Sequence, residues 1–162
     1  MGTAQSRVVL FAFSKYHFLM GQFPKIQVSL NHIGVAVSDL PQMKKLFLLL
    51  GLPVDHVESV PDQGVNTHFI PLPMERGFVE LLEPTDQAGS VQKSIDKRGP
   101  GVHHLSFAVK KGELEPLVKQ LRSEGYRFIY EEPKLGAHSM KVNFIHPACA
   151  GGILIELMEP LP

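Results

Sequence analysis

The segment Phe78-Val79-Glu80-Leu81-Leu82-Glu83-Pro84 returns near the end of the chain as Leu154-Ile155-Glu156-Leu157-Met158-Glu159-Pro160. Each copy follows a second repeated phrase, Asn31-His32-Ile33-Gly34-Val35-Ala36-Val37 and then His103-His104-Leu105-Ser106-Phe107-Ala108-Val109. The histidines lie 72 positions apart and the glutamates 76. Two phrases repeating in the same order at nearly one offset indicate an internal duplication. A single copy is too small to cover both faces of its own sheet, so two copies must share a core and can enclose a cleft between them.

Working outward from these phrases, the pattern predicts a strand over 27–37 and a helix over 43–50. Ser38-Asp39 is a helix-start signal, and Pro41 suits the first helical turn. Gly51 and Pro53 end that helix. Strands are predicted over 54–60, 66–72 and 77–82, with a short helix over 91–97. In the second copy, strands are predicted over 102–109, 126–130, 141–145 and 152–158. The apolar stripe Leu114, Leu117, Val118 and Leu121 predicts a helix over 114–124. The expected fold is α+β: two tandem βαβββ modules forming a curved mixed sheet around a metal-binding cleft. Module one spans about 30–84 and module two about 101–160, joined by a linker over 85–100 within a domain over 30–162.

Strand side chains alternate between faces. By that count His32 shares a face with Gly34 and Ala36, and His104 with Ser106 and Ala108, so both imidazoles have small neighbours and room for a ligand. Glu80 shares its face with Phe78 and Leu82, and Glu156 with Leu154 and Met158. A carboxylate between apolar neighbours is costly to bury unless positive charge meets it. A lone strand histidine is ordinarily a satisfied core or surface residue. Four such residues related by a duplication instead indicate one divalent metal ion held by His32, Glu80, His104 and Glu156. The same count puts His103 on the opposite face, in a structural role, and Glu83 and Glu159 in solvent. His17, His56 and His68 have no repeat partner and no expected role.

Composition narrows the function. The 162 residues are 44% hydrophobic and 20% charged, with 16 basic and 16 acidic side chains. That balance gives no reason to expect a nucleic acid or a membrane as partner. A single cysteine, Cys149, allows no intrachain disulfide, which suits a reducing compartment and an expected cytoplasmic location. Residues 1–29 carry Arg7, Lys15 and Lys25 and no acid. They are expected to be a poorly ordered extension; a transit peptide, and with it the mitochondrial matrix, is the alternative.

The chain resembles the vicinal oxygen chelate superfamily and, more narrowly, the methylmalonyl-CoA epimerase family. The resemblance runs from about residue 30 to 160. It rests on Leu30-Asn31-His32-Ile33, Pro61-Asp62-Gln63-Gly64-Val65, His103-His104, Gly136-Ala137-His138, Phe144-Ile145-His146-Pro147 and Gly151-Gly152, besides the two glutamate phrases. It implies the four metal ligands named above and a divalent cation, Co2+ foremost, with Mn2+, Ni2+ or Zn2+ as alternatives. It implies a small-molecule acyl-CoA substrate, a homodimer, and inversion at C2 of methylmalonyl-CoA through a metal-stabilised enolate. Glu156 would carry the proton on one face of C2. The second carrier is an acid in a Pro-Glu-x-Gly-Val phrase, where this chain has Asp62, one methylene shorter. His138 and His146 are candidates to orient a base or the substrate carboxylate, and Lys134 and Lys141 lie near the same loops. The rivals are a glyoxalase I-like lactoylglutathione lyase, which has the same ligand order, a non-haem iron dioxygenase, and a drug-sequestering binder.

Overall fold

The computed structural model describes residues 26–73, 77–136 and 139–161. Its strands are β1 (Ser29–Ala36), β2 (His56–Val60), β3 (Val65–Leu72), β4 (Gly77–Pro84), β5 (Gly101–Ala108), β6 (Lys134–Leu135), β7 (Met140–Ile145) and β8 (Leu154–Pro160). Its helices are α1 (Leu40–Leu49), α2 (Ser90–Arg98) and α3 (Leu114–Ser123). The eight strands form one curved mixed sheet in the order β2-β3-β4-β1-β5-β8-β7-β6. The duplication is visible in that order. In each half the first strand pairs in parallel with the last, β1 with β4 and β5 with β8, and the other neighbours are antiparallel. The halves meet along the antiparallel β1–β5 seam, which puts both histidine strands at the centre of the sheet.

Period-two alternation separates the two faces of the sheet. On β4, Val79 and Leu81 pack with Leu40, Met43 and Phe47 of α1, while Phe78, Glu80 and Leu82 line a cavity. On β8, Ile155 and Leu157 pack with Leu114, Val118 and Leu121 of α3, while Leu154, Glu156 and Met158 line the same cavity. Helices α1 and α3 therefore cover the convex side, and the concave side is left for chemistry. Helix α1 begins where expected: Asp39 accepts a hydrogen bond from the Gln42 amide at 2.9 Å, and a proline occupies the first turn. Helix α2 packs Val91 and Ile95 against Ala36, Val65 and Leu82 of the first half, and Val91 lines the cavity.

Two sequence expectations need correction. Residues 126–130 are not a strand. They follow β7 through a single bridge, Phe128 to Ile145, and backbone bonds from Ile129 to Phe144 and from His146 to Arg127. The fully buried Asn143 side chain intercepts the ladder there, accepting from the Tyr130 amide at 3.3 Å and donating to its carbonyl at 3.1 Å. Pairing resumes only at β6. Glu159, expected in solvent, is 6% exposed and accepts from the Leu114 amide at 3.0 Å, at the start of α3. The reason is parity: β8 continues past residue 158, and Glu159 lies on the helix-facing side with Leu157. Glu83 shares that parity but keeps its side chain 39% exposed, bonded to Asn66 at 3.1 Å and His68 at 3.3 Å.

Candidate metal centre

His32 and His104 come from the two repeats and meet across the seam, with their Nε2 atoms 2.9 Å apart and their rings nearly perpendicular. Glu156 Oε2 stands 3.2 Å from His32 Nε2. Glu80 Oε1 approaches the other nitrogen of the same ring, 3.3 Å from Nδ1. All four side chains are buried. Ligand atoms of His32, Glu80 and His104 all lie within 4.8 Å of one another, a set that could hold a metal ion. Glu156 falls outside that compact trio and joins through His32.

The backbone makes this meeting possible. Gly34 pairs with His104, and a Cβ at Gly34 would lie 2.3 Å from His104 Cε1. The imidazole therefore lies flat against the β1 backbone, in space that only glycine leaves free. Ser106, the repeat counterpart of Gly34, stands opposite His32 in the same way.

The seam holds two features that alternation alone does not reveal. The β1–β5 register slips once between Leu30 and His32 and again between Gly34 and Val35. The extra residues are Asn31 on β1 and His103 on β5, at equivalent positions of the repeat and each directly before a central histidine. A bulge turns consecutive residues toward one face. Asn31 and His103 therefore join their histidine neighbours on the cavity wall. The expectation that His103 points away from the cavity is corrected on this ground: it is buried, lines the cavity and contacts His104, Nδ1 to Nδ1, at 3.0 Å.

Burial and close approach set the electrostatics of the protein groups. Burial pushes the Glu80 carboxyl up to about 7, with Glu156 adding repulsion and His32 opposing. Burial pushes His104 down to about 3. For His32, burial acts to lower the affinity for a proton, but Glu156 and Glu80 outweigh it and the net direction is up. For Glu156, burial is again the largest influence and acts upward, while His32 and His104 together bring the net direction down. Two carboxylates and two imidazoles, with no lysine or arginine among the described residues bonded to them, make a pocket poor in positive charge. Glu156 Oε2 is also buried without a partner in hydrogen-bond geometry. Such an atom is costly unless something positive meets it, and an N and O donor set suits a divalent transition metal. The residues present thus fit a cation of this type.

The four residues line a cavity of about 770 Å³. Val60, Thr67 and Phe69 wall it from the first half; Tyr130, Met140 and Phe144 wall it from the second. Asp62 lies on the same wall, in the 3-10 turn Pro61–Gln63. That turn ends at Gly64 with φ 64°, where a Cβ would lie 2.6 Å from the Asp86 Cβ. The close contact ties the Asp62 turn to the loop before α2. His56, given no role by the sequence, also lines the cavity, stacked on Phe69 at 4.3 Å with Asp55 2.8 Å from its Nδ1.

Other candidates sit elsewhere. The His146 imidazole accepts from the Ala148 amide at 3.1 Å, at the start of the turn Pro147–Cys149, and is outside the cavity lining. Cys149 is likewise absent from the lining and contacts the backbone of Arg127 and His146. Lys141 pairs with Glu115. Lys134 lies over the Tyr130 ring at 4.3 Å. His138 and the extension's first 25 positions lie outside the described residues. Among the described residues, no helix is long and apolar enough to cross a membrane.

This fold and this site define a class. The chain belongs to the glyoxalase/bleomycin resistance protein/dioxygenase superfamily, whose family model matches residues 31–144. It is 34% identical over 135 residues to the human mitochondrial methylmalonyl-CoA epimerase, covering 80% of this chain and 73% of that one. The crystal structure of methylmalonyl-CoA epimerase from Mycobacterium tuberculosis superposes with a TM-score of 0.75 at 38% identity, over 82% of this chain and 88% of that one. A Streptomyces coelicolor methylmalonyl-CoA epimerase variant in complex with 2-nitronate-propionyl-CoA superposes with a TM-score of 0.72 at 30% identity, over 82% and 94%. Within the superfamily, then, the chain is a member of the methylmalonyl-CoA epimerase family of isomerases.

Proposed function

We propose that this protein inverts C2 of methylmalonyl-CoA by removing a proton from one face and returning one to the other. The observation that carries the reading is the buried convergence of His32, His104, Glu80 and Glu156 on a cavity that Asp62 also lines. His32, Glu80, His104 and Glu156 would hold a divalent ion, Co2+ foremost. Bound there, such an ion supplies Lewis acidity to the thioester and carboxylate oxygens flanking C2, making its proton easier to remove.

The chain's own residues do the rest. The cavity is large enough for an acyl group and its thioester, and its Phe69, Phe144 and Met140 walls would present apolar surface to the reacting carbon. Fixing C2 between two protein carboxylates removes part of the entropic barrier. Glu156, anchored on the central part of the sheet, takes or gives the proton on one side. Asp62, on its braced turn, serves the other side, directly or through one water. Neither acid needs to become a nucleophile, and Cys149 has no part. An acyl-CoA ligand is supported by the Streptomyces relative, which was solved with a propionyl-CoA analogue.

The test is exchange of the C2 proton of methylmalonyl-CoA in deuterated water, followed by NMR with and without a chelator. Exchange that depends on added Co2+, with no net loss of thioester, supports the reading. Turnover of a glutathione hemithioacetal without C2 exchange would replace it with the lyase.

A further inference from the structure

The two seam bulges place a polar side-chain atom beside each central histidine, on the ring nitrogen that points away from the other ring. Asn31 Oδ1 lies 3.0 Å from His32 Nδ1, and His103 Nδ1 lies 3.0 Å from His104 Nδ1. The Nε2 atoms of the same two rings face each other at 2.9 Å. We infer that Asn31 and His103 are positioning residues that hold His32 and His104 with hydrogen on Nδ1, so that two bare Nε2 lone pairs converge where a divalent cation is held. The inference rests on the proposed metal site and extends it to residues that never touch the ion.

Which nitrogen of an imidazole binds a metal is set by the hydrogen bond that the other nitrogen makes. Asn31 Oδ1 is an acceptor, so it favours hydrogen on His32 Nδ1. His103 can serve His104 only by accepting at its own Nδ1, which places its hydrogen on Nε2. An unbulged seam would turn residues 31 and 103 to the helix side, away from these rings. The bulge at Asn31 is also accommodated across the sheet: Gly77 stands beside it, and a Cβ there would lie 2.9 Å from the Asn31 carbonyl oxygen. The duplication thus carries one solution twice, with an amide in the first copy and an imidazole in the second.

The test uses the full chain with 15N-labelled histidines, titrated with Zn2+ and observed in long-range 1H–15N spectra beside a binding isotherm. In the wild type we expect His32 and His104 to be metallated at Nε2, each with a slowly exchanging Nδ1 hydrogen. His103→Phe removes the acceptor while keeping a ring. It should weaken Zn2+ binding by about 10- to 100-fold and abolish the protected hydrogen on His104 alone. Asn31→Leu should act in the same way on His32 alone, with a loss of about 10- to 100-fold. His103→Asn, which installs the first copy's solution in the second, should bind Zn2+ as the wild type does. Metallation at Nδ1 of either ring in the wild type would overturn the inference, even if a variant fails to fold. So would unchanged affinity and unchanged ring signals in folded His103→Phe. A wild type that binds no Zn2+ at all would instead sink the metal site itself, an outcome the isotherm separates from the other two.

Discussion

Gly34→Ala adds one methyl group and should disable the metal centre without unfolding the protein. The new Cβ would lie 2.3 Å from His104 Cε1, 2.6 Å from Nδ1 and 2.7 Å from Nε2. Ordinary contacts between such atoms begin near about 3.5 Å, so the ring must retreat by more than about 1 Å. Metal–ligand distances tolerate only about 0.2 Å, and His104 Nε2 would be carried out of range. The backbone itself accepts alanine, since Gly34 is not among the glycines with positive φ. Alanine also gains roughly 0.5–1 kcal/mol over glycine within a strand. Overpacking costs about 1–3 kcal/mol, so the net loss of stability should be about 0–2.5 kcal/mol, small enough to leave a folded protein. The assay pairs a Co2+ titration, read by its visible absorption, with urea unfolding of the metal-free protein. We expect Co2+ affinity to fall at least about 100-fold while cooperative unfolding is kept. A folded Gly34→Ala protein that binds Co2+ like the wild type would refute the placement of His104 against β1.

Three further outcomes follow from other parts of the molecule. Asp62→Ala should abolish inversion of methylmalonyl-CoA while leaving the Co2+ isotherm unchanged, because Asp62 lines the cavity from a separate turn; retained turnover removes it from the mechanism. Asn143→Ala should cost about 2–4 kcal/mol in urea unfolding, since it strips the Tyr130 amide and carbonyl of their partners in a fully buried position; a loss below about 1 kcal/mol would mean the backbone re-pairs. Burial lowers the proton affinity of His68 from its ordinary value of 6.5, with Lys44 acting in the same sense and Glu83 against it. Its contribution to stability is therefore complete above that value and is lost as pH falls below it toward the folded value. The drop in unfolding free energy between pH 7.5 and 5.5 should be smaller in His68→Asn than in the wild type; an equal drop assigns the pH dependence to other groups.

Much of this architecture was legible because strand parity is a simple rule. Phe78, Glu80 and Leu82 against Val79 and Leu81 could be sorted to two faces by counting, and the repeat carried the same sorting to β8. The small residues beside the histidines, Gly34 among them, were legible, although the register that sets Gly34 opposite His104 and the flat packing of the ring were not. Counting failed where its premise failed. It assumes an unbroken ladder, and the slips at Asn31 and His103 break it, turning His103 into the cavity. The available signal was a polar residue directly before the histidine in both copies. The predicted strand over 126–130 was lost to a side chain, because no propensity reveals that Asn143 will take the Tyr130 backbone bonds. Glu159 was readable by the rule already in use: it shares parity with Leu157, and only the assumption that the strand ended at residue 158 put it in solvent.

The central claim is that both halves of the duplication grip one cation through residues far apart in the chain. Anomalous diffraction at the cobalt edge, from crystals grown with Co2+, tests it most directly. The account expects one strong peak per chain, bonded to His32 and His104 Nε2 and to carboxylate oxygens of Glu80 and Glu156. A peak held by residues of one half alone, or no peak among these four side chains, would contradict it.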